Sequence, residues 1–339
     1  MRCSVVILNW NGADWLRRFL PTVLEHTPDS DCEIVVADNG STDNSIELLK
    51  NEFPTVRLIL FTENYGFAEG YNKAIDAINS EYVVLLNSDV EVTDHWLTVL
   101  LDFLDEHKQV AAVQPKILSW KSKQSNPDKV LFEHAGAAGG EIDVLGYPFC
   151  RGRLLQHLDI DNGQYDTNKQ VFWTTGACMA VRTDVYKKEG GLDGSYFAHM
   201  EEIDLCWRLN CRGYQLWCVP QSKVYHVGGG ALGYENPRKT YLNFRNSLLT
   251  LYKNLPAGRL WWVMICRFFL DYVAALQMLL TGHPKNMMSV MQARIDYDKS
   301  IKTYSHKRHN NLCKAIIPFP ATISRRCIVF DYYIRRMSN

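Results

Sequence analysis

Four short polar clusters, each directly after an apolar run, carry the residue types that nucleotide and metal chemistry need. They are Asn9-Trp10-Asn11-Gly12, Asp38-Asn39-Gly40-Ser41-Thr42-Asp43, Glu63-Asn64-Tyr65-Gly66-Phe67 and Asn87-Ser88-Asp89. Singly, each reads as turn and N-cap chemistry that starts a helix. Together they bring three Asp and several Asn to four successive strand ends, more than four caps require. Such a set suits the base, ribose and diphosphate of a nucleotide. Asp89 is the sharpest of them. Mg2+ and Mn2+ prefer carboxylate oxygen, and an Asp at the end of a buried strand is a rigidly held ligand. No GxGxxG follows the first run and no GxxxxGK[ST] occurs, so neither familiar phosphate cradle is present.

The elements that must position these clusters are legible around them. Residues 4–8 (SVVIL), 33–37 (EIVVA), 56–61 (VRLILF) and 82–86 (YVVLL) are short apolar runs rich in β-branched residues. They read as strands buried on both faces. Helical patterns separate them at 14–25, 45–52 and 67–78, and a fourth follows at 94–106. This alternation predicts an α/β fold with an open, doubly wound sheet, whose ligands sit beyond the carboxyl ends of the strands. From about residue 109 the pattern loosens, with glycine-rich stretches at 136–140 and 190–194 and a helix predicted over 201–212. After Pro237 the sequence turns helical and aromatic.

A second group of acids opens the helix at 201. Glu201, Glu202 and Asp204 suit a helix first turn through the macrodipole alone. The spacing puts Glu201 and Asp204 on one face and turns Glu202 elsewhere, which leaves one acid free for proton transfer. A lone histidine such as His226 is ordinarily structural, and Trp173 and Trp207 could stack on a sugar or simply fill the core.

Apolar residues make up 47% and charged residues 22%, the balance of a packed globular chain. The formal net charge is zero, but residues 285–339 hold 11 Lys and Arg against 3 Asp and Glu. A basic segment after an acidic body suits an anionic surface, and lipid is the leading candidate. Residues 260–280 are the most hydrophobic stretch, interrupted by Arg267 and Asp271. With Gln277 and Thr281 these form a one-sided polar stripe, which suits an interfacial or packed helix better than a lipid-wrapped span. None of the ten cysteines sits in a CxxC, and five lie among apolar residues as small core hydrophobes do. A reducing cytoplasm is expected. The N-terminus runs straight into a strand pattern, so no signal peptide is expected.

The ordered set NWNG, DNGSTD, ENYGFAEGYN and LLNSDV resembles the family-two glycosyltransferases of GT-A fold, particularly rhamnosyltransferase-like members that build bacterial surface polysaccharides. The likeness continues through Thr174-Thr175-Gly176-Ala177, Gly190-Gly191-Leu192-Asp193 and the stretch from Met200 to Arg208. It ends with Val224-Tyr225-His226 and Asn243-Phe244-Arg245-Asn246. The resemblance implies a GT-A catalytic domain over 1–236, a Rossmann-like, mostly parallel sheet flanked by helices. Its nucleotide-binding half would be 1–108 and its acceptor half 109–236; the hydrophobic stretch and basic segment described above give the expectation of a C-terminal helical, membrane-associating region over 237–339.

The resemblance also implies roles. Asp38 would contact the base with Asp43 nearby, and Asn64 would frame the nucleotide pocket. Asp89 matches the last carboxylate of the metal-binding DXD motif, whose first position here is Asn87. Asp89 and His226 would hold Mg2+ or Mn2+. The acid pair of the family reads Glu201-Glu202, which nominates Glu202 as general base. Asn9, Asn39, Gly66, Trp173, Gly176, Glu201 and Arg245 complete the residues expected to line donor or acceptor.

The implied reaction is inverting, metal-dependent transfer of rhamnose or another hexose from a nucleotide-diphosphate sugar to a hydroxyl of a glycan or polyprenyl-linked acceptor. It would take place at the inner face of the cell membrane, with no nucleic acid as partner. Two alternatives stay open. A sugar nucleotidyltransferase would need a glycine-rich, basic loop after the first strand, where Asn9-Trp10-Asn11-Gly12 stands. A non-catalytic glycan-assembly subunit would keep the fold without turnover.

Overall fold

The structure, a computed structural model, describes residues 1–28, 30–228 and 236–333. The last residues of the basic segment, Arg335 and Arg336 among them, and the stretch just before the expected boundary at 236 lie outside the described residues.

The first four strands are β1 (Cys3–Asn9), β2 (Cys32–Asn39), β3 (Arg57–Phe61) and β4 (Tyr82–Asn87), followed by a short β5 (Val90–Val92) and a long β6 (Val110–Ser119). Four short strands come next: β7 (Gly140–Asp143), β8 (Pro148–Cys150), β9 (Arg153–Leu154) and β10 (His157–Leu158). β11 (Lys169–Val171), β12 (Cys178–Arg182), β13 (Gln215–His226) and β14 (Ile323–Ser324) complete the set. Nine of the described strands form one sheet in the order β11-β13-β6-β12-β4-β1-β2-β3, with β5 against β13. β3, β2, β1 and β4 are parallel, β12 runs antiparallel between β4 and β6, and β13 is parallel to β6.

The helices are α1 (Ala13–His26), α2 (Ser45–Glu52), α3 (Gly66–Asp76), α4 (Trp96–Glu106), α5 (Trp120–Ser125), α6 (Thr183–Lys188) and α7 (Glu201–Cys211). α8 (Pro237–Asn254), α9 (Ala257–Leu280), α10 (Pro284–Cys313) and α11 (Ile328–Tyr333) follow. The sheet is buried on both sides, as the apolar runs predict. Alternate residues of β1 divide between two cores, Val6 on one side and Val5 and Ile7 on the other. The second half of the sequence supplies β6, β12 and β13 to the same sheet, so the halves 1–108 and 109–236 share one hydrogen-bonded surface. A smaller sheet, β10-β9-β8-β7-β14, is completed by the C-terminal β14.

α8 begins where Pro237 and a capping Asn236 predict, the Asn236 carboxamide oxygen accepting the Arg238 N–H at 2.8 Å. It is joined to α7 by a buried charge network. Asp204 accepts from Arg208 at 3.0 Å, Lys253 at 2.9 Å and Asn254 at 2.8 Å. Lys253 also meets Asp193 at 2.6 Å, and Lys307 of α10 meets the other oxygen of Asp193 at 2.6 Å. Removing one partner of such a network leaves an uncompensated buried charge. The variant Lys253→Met is therefore expected to lower the unfolding free energy by about 3 kcal/mol in urea titration. A loss within the range of an exposed pair, under about 1 kcal/mol, would contradict the structural role.

Candidate active site

The polar clusters meet at one edge of the sheet because parallel strands end together. β1 lies between β2 and β4, with Asn9 opposite Asp38 and Leu8 opposite Asn87. Asn9 and Asp38 are fully buried. The Asn9 carboxamide donates to Asp38 at 3.0 Å and to Ser41 Oγ at 3.2 Å, while its own Oδ1 has no partner. Asp38 also accepts the Ser41 N–H at 2.9 Å. Asn39 donates to Asn64 at 3.1 Å and to the Gly66 carbonyl at 3.0 Å, and Asn64 accepts the Gly66 N–H at 2.8 Å. Asn39 and Asn64 thus shape the turn into α3.

Asp43 is a double cap. It accepts the Ala13 N–H of α1 at 3.1 Å and the Ser45 N–H of α2 at 3.0 Å. Burial pushes its pKa up, but these donors outweigh burial and hold it below the usual carboxylate value. Its hydrogen bonds are spent on helix ends. The Asn11 carboxamide oxygen, which accepts the Thr42 N–H at 2.7 Å, ties the first two clusters together.

At the end of β4, Asp89 Oδ1 lies 3.1 Å from His226 Nε2, and Asn87 Nδ2 lies 3.4 Å from the same ring nitrogen. β13 delivers His226 to this place, and the Val227 N–H returns to the Asp89 carbonyl at 3.1 Å. The other ring nitrogen, Nδ1, meets Glu133 Oε2 at 3.0 Å. Burial lowers the His226 pKa, but Asp89 and Glu133 outweigh it and raise the imidazole to about 10. Burial likewise pushes Glu133 up, yet its bond and charge contact with His226 carry it down to about 2.

Among the described residues no three His, Cys, Asp or Glu side chains form a metal cage. Asp89 fits the other arrangement, in which one or two carboxylates share a divalent ion with substrate phosphates. His226 would join it, with the ion taking the place of the proton that Nε2 holds against Asp89. Glu133 supplies the outer-sphere carboxylate that orients a ligating imidazole. The sequence reading missed Glu133, which lies 93 positions from His226 in a stretch without periodicity.

Two of the acids at the start of α7 keep an unpaired oxygen. Glu201 Oε2 and Glu202 Oε2 are buried and have no hydrogen-bond partner. Glu201 is almost wholly buried, and desolvation with the neighbouring Glu202 charge raises its pKa well above the usual value. Glu202 is partly exposed, and burial raises it to about 7. Asp204 is fully enclosed in the charge network described above. The expected division of faces is therefore present.

The loop before α7 is strained and clamped. Phe197, His199 and Met200 have φ of 66°, 69° and 72°. From α8, the fully buried Asn246 donates to the carbonyls of Tyr196 (3.1 Å), Ala198 (2.9 Å) and His199 (2.8 Å). Arg245 holds the carbonyls of Ser195 at 3.3 Å and Tyr196 at 3.2 Å. From α3, the Phe67 N–H donates to the Phe197 carbonyl at 2.7 Å. Gly66, at φ 77°, allows this approach, since a Cβ there would lie 2.6 Å from the Phe197 ring. At Gly176 a Cβ would sit 3.0 Å from Phe67.

Trp173 and Trp207 both lie in the core. The Trp173 indole packs over Gly140, where a Cβ would come within 2.1 Å of the ring, and its N–H donates to the Glu141 carbonyl at 2.8 Å. Burial thus corrects the reading of these two rings as sugar platforms. Asn246 lies beside Arg245 in the Asn243-Phe244-Arg245-Asn246 motif, but a carboxamide that holds backbone carbonyls leaves no signal in residue spacing.

A mixed sheet with polar clusters at its carboxyl edge, helices on both sides and a C-terminal helical region defines the class: a GT-A fold. A profile of glycosyl transferase family 2 matches residues 4–189, more than half of the chain, and the chain belongs to that family. It is 27% identical over 238 residues to the N-acetylglucosaminyl-diphospho-decaprenol L-rhamnosyltransferase of Mycobacterium tuberculosis, covering 66% of this chain and 75% of the relative. It is 23% identical over 255 residues to a low-salt glycan biosynthesis hexosyltransferase of Haloferax volcanii, covering 73% and 74%. Among solved structures, GalNAc-T7 with UDP, GalNAc and Mn2+ superposes with a TM-score of 0.60 at 15% identity, over 94% of this chain and 58% of that one. The S. aureus TarS complex with UDP-GlcNAc gives 0.55 at 15%, over 93% and 89%.

Removing the Asn246 carboxamide strips three carbonyls of a buried donor, a loss of about 1–3 kcal/mol. Asn246→Ala is expected to lose that much in thermal or urea unfolding and to cut transfer more than tenfold, with Glu201 and Glu202 untouched. Wild-type turnover at reduced stability would show that the clamp does not position α7.

Proposed function

We propose that this chain transfers a sugar from a nucleoside-diphosphate sugar to a hydroxyl of a glycan or lipid-linked acceptor, with inversion at the anomeric carbon. One observation carries the reading of the base. Asp38, Asp43, Asp89, Glu133, Asp193 and Asp204 all have hydrogen-bond or ion-pair partners, whereas Glu202 keeps an unpaired oxygen. Glu201 shares that feature but is sealed in the core, where burial and the Glu202 charge raise its pKa well above the usual value. Glu202, partly exposed with a pKa near that of the medium, is the acid suited to take a proton at neutral pH.

The step balances without an enzyme nucleophile. The acceptor oxygen forms a bond to the anomeric carbon, the bond from that carbon to the diphosphate oxygen breaks, and the hydroxyl proton passes to Glu202. Asn9 and Asp38, buried beneath the carboxyl edge of the sheet, would hold the Ser41 turn against which the nucleoside rests. Asp89 and His226 would hold Mg2+ or Mn2+, which supplies charge neutralisation to the departing diphosphate. Glu133 keeps the imidazole turned with Nε2 toward Asp89. Support comes from two solved neighbours that contain Mn2+ with UDP or GDP-Man. For the acceptor, support comes from the mycobacterial relative named for a decaprenol-linked substrate and from an O-antigen biosynthesis protein of Myxococcus xanthus. Rhamnose or another hexose as donor is supported by the names of the mycobacterial and Haloferax relatives. A place in surface polysaccharide synthesis is supported by that of the O-antigen protein.

A base must be ionised to act, so the transfer rate is expected to rise with pH through about 7 and level off above it. Glu202→Gln should retain nucleotide binding and lose transfer at every pH. A profile flat from pH 5 to 9 would remove Glu202 from this role. Asp89→Ala is expected to lose metal-dependent release of nucleoside diphosphate by at least about a hundredfold. Undiminished release would overturn the metal assignment, and no release from the wild type with any donor would favour the non-catalytic reading.

A further inference from the structure

α9 turns its charges inward and its apolar side outward. Its buried positions are Val263, Arg267, Asp271 and Ala275. Arg267 donates to Ser247 at 3.0 Å, to Asp271 at 3.2 Å and to the Leu145 carbonyl at 3.3 Å. Asp271 accepts in turn from Arg294 of α10 at 2.6 Å and from the Tyr147 hydroxyl at 3.4 Å. The two charges that would oppose contact with an apolar phase are thus satisfied inside the protein.

On the outer side, Trp261, Ile265, Phe269, Val273, Leu276 and Leu280 stand exposed at helical spacing, Phe269 by 64% and Leu280 by 77%. This stripe is about 28 Å long at 1.5 Å per residue. After Arg259 no charged side chain on α9 interrupts it, because Arg267 and Asp271 face inward. The expected polar stripe is therefore split: Gln277 and Thr281 lie outside, where Gln277 is the polar exception. α10 continues the apolar surface with exposed Met288, Met291 and Ile295, and its Arg294 lies over the Phe268 ring at 5.1 Å. By helix periodicity, exposed Lys299 and Lys302 lie on that same side of α10, beside one exposed acid, Asp298.

Among the described residues α9 is the one helix long and apolar enough to cross a bilayer by length and composition. A crossing would need lipid all around it, and the packed face formed by Val263, Arg267, Asp271 and Ala275 prevents that. A second copy set on the same patch would bring like-charged lysines together. An interfacial position buries the stripe to the depth of the headgroup boundary and leaves the lysines among anionic headgroups.

We propose that the outer face of α9 and α10 docks the protein on an anionic lipid bilayer, with α9 lying in the plane of the interface. The consequence for transfer rests on the lipid-linked acceptor proposed above. Ser247, which Arg267 holds, adjoins Asn246, whose carboxamide grips the loop leading to Glu202. The docked face is therefore linked through α8 to the loop that leads to the proposed base.

The test is flotation of the purified full chain with vesicles of phosphatidylcholine alone and of phosphatidylcholine with phosphatidylglycerol, without substrates. The wild type should float with the anionic vesicles, less so as salt is raised. The double variant Phe269→Glu with Val273→Glu should lower that partition at least about tenfold. Both positions are exposed, so circular dichroism and vesicle-free nucleoside diphosphate release should stay at the wild-type level. Loss of donor turnover without loss of flotation would touch the transfer reading alone. Wild-type flotation by the double variant, equal flotation with both vesicle types, or none with either would overturn the docking proposal. So would light scattering that shows a wild-type dimer, a monomeric double variant and no vesicle binding, which would assign the face to a second copy.

Discussion

Parallel pairing of β2, β1 and β4 is the constraint from which the rest of the site follows. Hydrogen bonding in register sets Asn9 against Asp38 and Leu8 against Asn87, so the turns after these strands emerge at one edge. β12 enters the sheet antiparallel to β4, and its start, not its end, lies at that edge; the Asn87 N–H accordingly donates to the Ala177 carbonyl at 3.0 Å. β13 runs parallel to β6 and ends there too, which brings His226 to Asp89. Residues scattered over more than two hundred positions meet because strand direction leaves them no other place.

The opposing requirement is that an acid must remain unpaired inside a desolvated pocket. A buried carboxylate without a partner is costly, and raising its pKa is the ordinary response. The surroundings of Glu202 are built to hold it there. Three residues with left-handed backbone, Phe197, His199 and Met200, each costing about 1–3 kcal/mol, lie in a loop fixed by Asn246 and Arg245 from α8 and by the N-terminus of α3. Behind them, Asp204 anchors α7 to α8 through Lys253 and Asn254. The C-terminal helices therefore support the candidate site as well as the proposed lipid-docking surface, since the same α8 grips the loop before α7 and carries α9.

Much of this was legible in the sequence where local physics dominates. β1 to β4 are buried on both faces and appear as apolar runs, and the helices between them keep a 3.6-residue period, so their positions matched to within a few residues. β12, β13 and the smaller sheet depend on antiparallel or distant pairing that short windows do not encode. Glu133 shows the limit most clearly, because only the folded chain places it on the far nitrogen of His226. Asp43 shows another: an acid in a nucleotide-type motif proves to cap two helices at once. Trp173 was ambiguous until burial decided it. In α9, composition announced an amphipathic helix, but only packing revealed that its charged residues face the protein.

The central claim is that Asp38 and Asp89 serve one ligand, a nucleoside diphosphate bridged to the protein by a divalent ion. Differential scanning fluorimetry with a panel of nucleoside diphosphates, each with and without Mn2+, tests it most directly, because a ligand bound only to the folded state raises the melting temperature by mass action. The account predicts a rise for one base when nucleotide and Mn2+ are present together, and almost none with either alone. An equal rise without metal, or no rise across the whole panel, would contradict it.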